Sequence, residues 1–258
     1  LLKLDGTAVD VDVRCESIDH GGERGFLLAL TDLDWSSAHD LAIERLNRLY
    51  AALAHVNQAI VRMPTRQDLF QSVCDALVEQ GAVRMAWIAW KSEDELEELL
   101  PVAACGDDGG YLNGIRIFTN DTPAGNRPAN TAFRQGRPFV CNDTLADLDS
   151  LPWSAEIARQ GYGSCASFPI RMGGSVSGVL NVYASDAGFF QQDEITLLSA
   201  AAADISFGLD NILREQEQQK SDVVRANLMM ETHDLRSAID QHALVAITDP
   251  RGKITFAN

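Results

Sequence analysis

Histidine is missing from the middle of this chain. The five present are His20, His39, His55, His233 and His242, with none between Val56 and Thr232. A haem held by imidazole, a Cys/His zinc site and a His-activated nucleophile are therefore excluded from that stretch. Basic residues are scarce: 21 Lys and Arg stand against 37 Asp and Glu, a net charge of −16. Such a surface repels phosphate backbones and anionic headgroups, so neither nucleic acid nor membrane is an expected partner. No apolar run approaches the roughly 18 residues of a membrane span. The opening Leu1-Leu2-Lys3-Leu4-Asp5-Gly6 lacks a signal-peptide pattern and an initiator Met, and reads as a cut from a longer chain. Cys15, Cys74, Cys105, Cys141 and Cys165 are odd in number and never closer than 24 positions (165 − 141), which favours reduced thiols and a cytoplasmic home.

What is present is an ordinary globular mixture, 46% hydrophobic and 22% charged over 258 residues. The pattern divides the chain into five parts. Residues 1–35 alternate apolar and polar positions around a turn at His20-Gly21-Gly22, with Val9, Val11 and Val13 on one face before it and Phe26, Leu28 and Leu30 after it. Residues 36–64 change to a heptad: Ala42, Leu46, Leu49, Leu53, Val56, Ile60 and Met63 form one seam, ended by Pro64. That seam suits both a dimerising coiled coil and a helix packed on its own domain. Residues 65–212 hold a helix over Thr65 to Gln80, then mostly strands. These are Ala82–Trp90, Leu99–Cys105, Ile115–Phe118, Pro138–Asn142 and a pair, Ser164–Arg171 and Ser175–Ala184, turned at Met172-Gly173-Gly174. Short helices are predicted near Ala129 and Pro152, and a long one from Gln192 with a seam of Ile195, Leu198, Ala202, Ile205, Leu209 and Ile212. Over 213–242 that seam meets Gln216 and Gln219 before Val223, Ala226 and Met230, a place where packed helices could slide. Residues 243–258 return to two strands around Asp249-Pro250-Arg251-Gly252.

One set of residues carries a family resemblance. Phe133-Arg134-Gln135-Gly136-Arg137-Pro138-Phe139-Val140-Cys141-Asn142-Asp143 is followed by Pro152-Trp153, Gly161-Tyr162-Gly163-Ser164, Phe168-Pro169-Ile170, Gly178-Val179-Leu180-Asn181-Val182-Tyr183-Ala184 and Phe189-Phe190. In order and spacing this resembles a bacterial GAF sensor domain over about Thr65 to Ile212. The resemblance implies an α+β fold: an antiparallel sheet of about six strands with helices on one face and a ligand pocket on the other, between long flanking coiled-coil helices. The two ends, Lys3 to Leu33 and Leu244 to Asn258, resemble partial PAS domains. The implied parent is a sensor chain that precedes cyclic di-GMP turnover domains, a diguanylate cyclase or phosphodiesterase, or a histidine kinase. No Gly-Gly-Asp-Glu-Phe, Glu-Ala-Leu or kinase glycine box stands in this sequence.

Candidate site residues follow from that resemblance and from residue chemistry. Trp87, Cys141, Asp143, Trp153, Tyr162, Ser164 and Tyr183 are the expected ligand-binding set, the aromatics as pocket lining and Asp143 and Ser164 at its rim. Each has a plainer reading as core, turn or cap. Trp87 and Trp90 are an odd number of positions apart, so on one strand only one can face the pocket. Cys105, Cys141 and Cys165 near strand ends read either as a redox or nitrosative sensor or as buried small apolar side chains. A bilin needs a thioether Cys beside a His that is missing here, so no haem, bilin or other cofactor is expected. Asn181, Phe189, Asp193 and Glu194 overlap a cyclic-nucleotide signature, but Val182 replaces its Lys, and the two acids suit a helix N-terminus. The expected function is a sensory module that binds a small effector and acts through a parallel homodimer. The alternative is a thiol-dependent enzyme of the free methionine sulfoxide reductase type.

Overall fold

The protein is described by a computed structural model over residues 11–20, 23–81, 83–92, 98–106, 109–113, 115, 117–119, 127–146, 157, 159–242 and 246–257. Trp153 and the helix expected near Pro152 lie outside the described residues. Two compact units divide within a helix, Leu1–Gly208 and Leu209–Asn258.

The first unit begins with a hairpin, β1 (Val11–His20) and β2 (Glu23–Asp32), and a 30-residue helix, α1 (Leu33–Arg62). Helix α2 (Arg66–Glu79) starts at Thr65, whose hydroxyl accepts from Asp68 N, the expected capping chemistry for a Thr just ahead of a helix. Then come β3 (Met85–Lys91), β4 (Glu98–Gly106), β5 (Ile117–Phe118), helix α3 (Pro128–Gln135), β6 (Phe139–Cys141), β7 (Ser164–Met172) and β8 (Ser175–Ala184). Helix α4 (Gln192–His242) runs on into the second unit, where β9 (Ala246–Thr248) pairs with β10 (Ile254–Ala257). Six strands form one antiparallel sheet in the order β5-β4-β3-β8-β7-β6. The β7–β8 hairpin turns through Gly173 and Gly174 at φ 59° and 81°, the left-handed backbone that a two-residue hairpin turn requires.

Alternate residues of this sheet serve two cores. On one face Trp90 meets Phe70 of α2 at 5.1 Å between ring centroids, with the Arg66 guanidinium 5.1 Å above the indole. On the other, Met85, Trp87 and Ala89 join Ala129 and Ala132 of α3. The two tryptophans thus face opposite ways, as their spacing requires, and the helices divide between the faces, α2 on one and α3 on the other.

The heptad seams are largely consumed inside the chain. Leu49, Leu53 and Val56 of α1 are buried, as are Leu198, Ala202 and Ile205 of α4. A Cβ added at Gly208 would stand 2.9 Å from Ile60 Cγ2, so α1 meets α4 at a position where α4 has no side chain. At these positions the seam is covered within the chain, one of the two arrangements that the heptad pattern allows. By length and composition alone α4, over Gln192–Ser237, is apolar enough to cross a membrane, contrary to the expectation that no run approaches a span, and a third of its most apolar 18 residues is buried. Gly208→Val should overpack the α1–α4 contact and cost about 1–3 kcal/mol, read as a lower midpoint in urea unfolding. An unchanged midpoint would mean that the helices are not in contact there.

Candidate functional site

The α3-facing side of the sheet is built in two rows fixed by strand register. Cys141, Cys165, Tyr183 and Met85 are successive partners across β6, β7, β8 and β3, and Phe139, Ser167, Asn181 and Trp87 form the next row. Because side chains alternate along a strand, all eight lie on one face. Tyr183 is the hub: its ring meets Tyr162 at 5.1 Å and Tyr111 at 5.9 Å, and its hydroxyl accepts from Trp87 Nε1 at 3.4 Å. Tyr162 directs its hydroxyl to Met85 Sδ at 3.2 Å, and the Arg84 guanidinium lies 5.6 Å over its ring.

Polar groups are interleaved with these rings. Ser167 donates to Asn181 Oδ1 at 2.6 Å, and Asn181 Nδ2 donates to the Val179 carbonyl at 3.2 Å. Asn130 of α3 is buried too, and Tyr111 hydrogen-bonds with both Tyr183 and Arg127. Burial comes first in raising the Tyr183 and Tyr111 phenols above the usual tyrosine range, and the neighbouring Tyr111 and Cys165 charges push Tyr183 further. Cys165 is raised by its hydrogen bond with Cys141 and then by burial. These groups rest neutral, so the cluster offers aromatic faces, hydroxyls and amides without charge. Among the described residues no three His, Cys, Asp or Glu come together to hold a metal ion.

Four of the expected residues, Trp87, Cys141, Tyr162 and Tyr183, meet in this one cluster. Two stand apart. Asp143 is exposed and accepts from Leu145 N and Ala146 N, both at 3.0 Å, so its carboxylate holds a turn. Ser164 is buried but donates to the Asp186 carbonyl at 2.7 Å, tying the start of β7 to the segment before α4. Sequence reasoning missed Ser167, Tyr111 and Asn130 and cast Asn181 only as part of a nucleotide motif. Strand parity could have found two of these, since Ser167 follows Cys165 by two positions on β7 and Asn181 precedes Tyr183 by two on β8. Tyr111 reaches the cluster from a loop with no period to betray it.

A different concavity, an open groove of about 220 Å³, lies between α1 and α2 and is lined by His55, Arg62, Asp75 and Glu79 among others. It gathers none of the expected residues, and its charged walls are largely solvated. The aromatic cluster is the better candidate because its polar groups are buried.

The pH dependence of stability follows from the raised phenols and thiol. A group whose pKa is higher folded than unfolded contributes fully below its ordinary value, 9.0 for Cys and 10.0 for Tyr, and loses that contribution as pH rises beyond it. Stability should be flat near neutrality and fall above pH 9, by up to about 1.4 kcal/mol per pH unit for each group. Tyr183→Phe should flatten the part of this slope beyond pH 10, measured by urea unfolding. An equal slope in the variant would show that Tyr183 is not buried as a neutral phenol.

Comparison with known proteins bears on this fold. No curated protein matches the sequence. Among solved structures, a free methionine-R-sulfoxide reductase from Neisseria meningitidis, in complex with its substrate, superposes with a TM-score of 0.53. It is 15% identical over 65% of this chain and 91% of that one. The GAF domain of a phosphoenolpyruvate-protein phosphotransferase from Coxiella burnetii gives 0.52 at 16% identity, over 68% of this chain and 98% of that one. A putative GAF sensor protein from Burkholderia vietnamiensis gives 0.51 at 12%, over 66% and 94%. At these identities the likeness is one of fold. The GAF domain family model matches residues 64–210, more than half of the sequence and the same span as the six-stranded sheet with its helices, and the chain therefore belongs to the GAF domain family.

Proposed function

We propose that this segment is the sensory module of a signal-transduction protein, in which a small neutral effector binds on the inner sheet face and α1 and α4 carry its state outward. The observation that carries this reading is the set of buried hydroxyl, amide and indole groups of Tyr183, Ser167, Asn181 and Trp87 on one sheet face. A core built only for stability gains little from such groups, since each net hydrogen bond contributes about 1 kcal/mol while apolar packing does the same without the risk of an unmet partner. The close approach of α1 and α4 at Ile60 and Gly208 supports the second half of the reading, since the helices that leave the domain are packed on each other.

The finer reading is a homodimer whose output domain, outside this segment, turns over cyclic di-GMP or is a histidine kinase. Its support is the likeness of both ends to partial PAS domains and the apolar residues that the chain leaves uncovered. Val61 of α1 is 85% exposed, Phe207 of α4 is 61% exposed, and Val223, Leu228 and Met230 further along α4 are exposed as well. One observation favours the second reading, a thiol-dependent enzyme acting on free methionine sulfoxide: Cys141 and Cys165 are paired on the inner face.

Denaturing extraction of the purified protein followed by mass spectrometry should release a small uncharged molecule, and Asn181→Ala should lower its yield at least about fivefold without unfolding the domain. Equal yields from both proteins would remove the inner face as the site. Light scattering should give twice the 28.1 kDa chain mass, and a monomer at micromolar concentration would sink the dimer. Turnover of free methionine sulfoxide with a thiol donor, lost in Cys141→Ser, would replace the sensor reading by the enzyme one.

A further inference from the structure

We propose that Cys141 and Cys165 form a reversible disulfide and that Asn142 transmits its formation to the start of α4. The thiols are directly opposed across the edge pair β6–β7, both buried, and Cys165 hydrogen-bonds with Cys141, which also directs its sulfur to the Asp143 carbonyl at 3.5 Å. Opposed residues in an antiparallel pair have Cβ atoms about 4.5–5.5 Å apart, whereas a disulfide brings them to about 3.8 Å. A bond can close here with a small inward movement of the edge strand. Cys15, Cys74 and Cys105 have no such opposed thiol in the strand registers of the described residues.

The chemistry balances with a peroxide as oxidant. The Cys141 sulfur, as thiolate, attacks one oxygen of hydrogen peroxide; the O–O bond breaks, hydroxide leaves and is protonated to water, and a sulfenic acid remains. The Cys165 sulfur then attacks that sulfur, the S–O bond breaks, and a second water leaves with the Cys165 proton. Two thiols lose two electrons and one peroxide is reduced to two waters. Burial selects a small neutral oxidant and makes this a response to sustained exposure rather than a fast scavenging reaction.

The next residue supplies the relay. Asn142 Nδ2 donates to the Phe190 carbonyl at 2.8 Å, Phe190 N donates to Asn142 Oδ1 at 2.9 Å, and Gly188 N donates to the Asn142 carbonyl at 2.6 Å. Phe190 stands two residues before α4, whose first turn is capped by Glu194 accepting from Gln191 N at 3.1 Å. An inward shift at Cys141 therefore pulls on the backbone that sets where α4 begins.

The test uses the whole chain. Reduced protein is treated with hydrogen peroxide, blocked with iodoacetamide in denaturant and mapped by mass spectrometry, and hydrogen exchange is followed over Gln191 to Leu198. The expected result is loss of two of the five thiols as one Cys141–Cys165 linked peptide. Exchange in the first turns of α4 should change at least about tenfold. Asn142→Ala should keep the disulfide and lose the exchange change. In Cys165→Ser, a sulfenic acid on Cys141 should be trapped by dimedone. Alkylation of both Cys141 and Cys165 after peroxide has consumed Cys15 would overturn the disulfide, and a linked peptide with unchanged exchange would overturn the relay.

Discussion

Strands β3 and β8 are covered on both faces, and the period-two alternation of their side chains divides the domain into two cores that a single register must satisfy. Trp87 with Asn181 and Ser167 falls to the α3 side, while Trp90 falls to the α2 side against Phe70. A slip of one residue would exchange these sets, placing an amide and a hydroxyl under the apolar helix α2 and the large Trp90 ring among the tyrosines. Gly178 reinforces the register: a Cβ there would stand 2.3 Å from Trp90 Cε3, so β8 admits that indole only where it has no side chain. The placement of Trp87, Cys165, Ser167, Asn181 and Tyr183 depends on this alignment.

Once register is fixed, the inner face follows from the requirement that buried polar atoms find partners. Ser167 and Asn181 satisfy each other across the β7–β8 pair, and Asn181 turns its amide to the carbonyl of Val179 on its own strand. The tyrosines solve the same problem with their edges, Tyr183 through Trp87 and Tyr162 through the Met85 thioether. This side of the sheet is thus ordered by directional bonds as well as by volume. The α2 side relies on Leu69, Phe70, Val73 and Leu77, which carry no polar side-chain atoms. That asymmetry separates a side ordered by polar bonds from one held by apolar packing.

Much of this was legible in the sequence. The β7–β8 hairpin with its Gly173-Gly174 turn, the start of α4 at Gln192 and the opposition of Trp87 and Trp90 all follow from local rules of period and turn chemistry. The α1 seam was legible as a helix but not as to its cover, because apolar residues at spacings of three and four look the same whether they meet a second chain or the same one. Asp143 and Ser164 could be placed near strand ends, and the bonds of Asp143 to Leu145 and Ala146 are local turn chemistry, but the bond of Ser164 to Asp186, 22 positions on, depends on a backbone path that no spacing encodes. Tyr111 and the clamp of Asn142 on Phe190 join residues 72 and 48 positions from their partners (183 − 111 and 190 − 142), and such long-range pairings leave no local pattern.

Helix α4 shows how one continuous helical pattern can live under two physical regimes. Up to Gly208 its apolar positions Leu198, Ala202 and Ile205 are buried, and packing holds the helix in place. From Arg214 to His233 every residue is exposed, Val223, Leu228 and Met230 as much as Gln216 and Gln219. A polar pair inside a covered seam would weaken it locally, whereas within one chain these glutamines differ in nothing from their apolar neighbours, since none is covered. An isolated helix in water is held by backbone bonds and charge pairs whose contributions are each a few tenths of a kcal/mol, and nucleation is unfavourable. Its persistence therefore depends on continuing an already packed helix, which supplies the nucleus. Whatever alters the first turns of α4, where Glu194 caps Gln191 and Phe190 is held by Asn142, acts on the nucleus from which the exposed remainder extends.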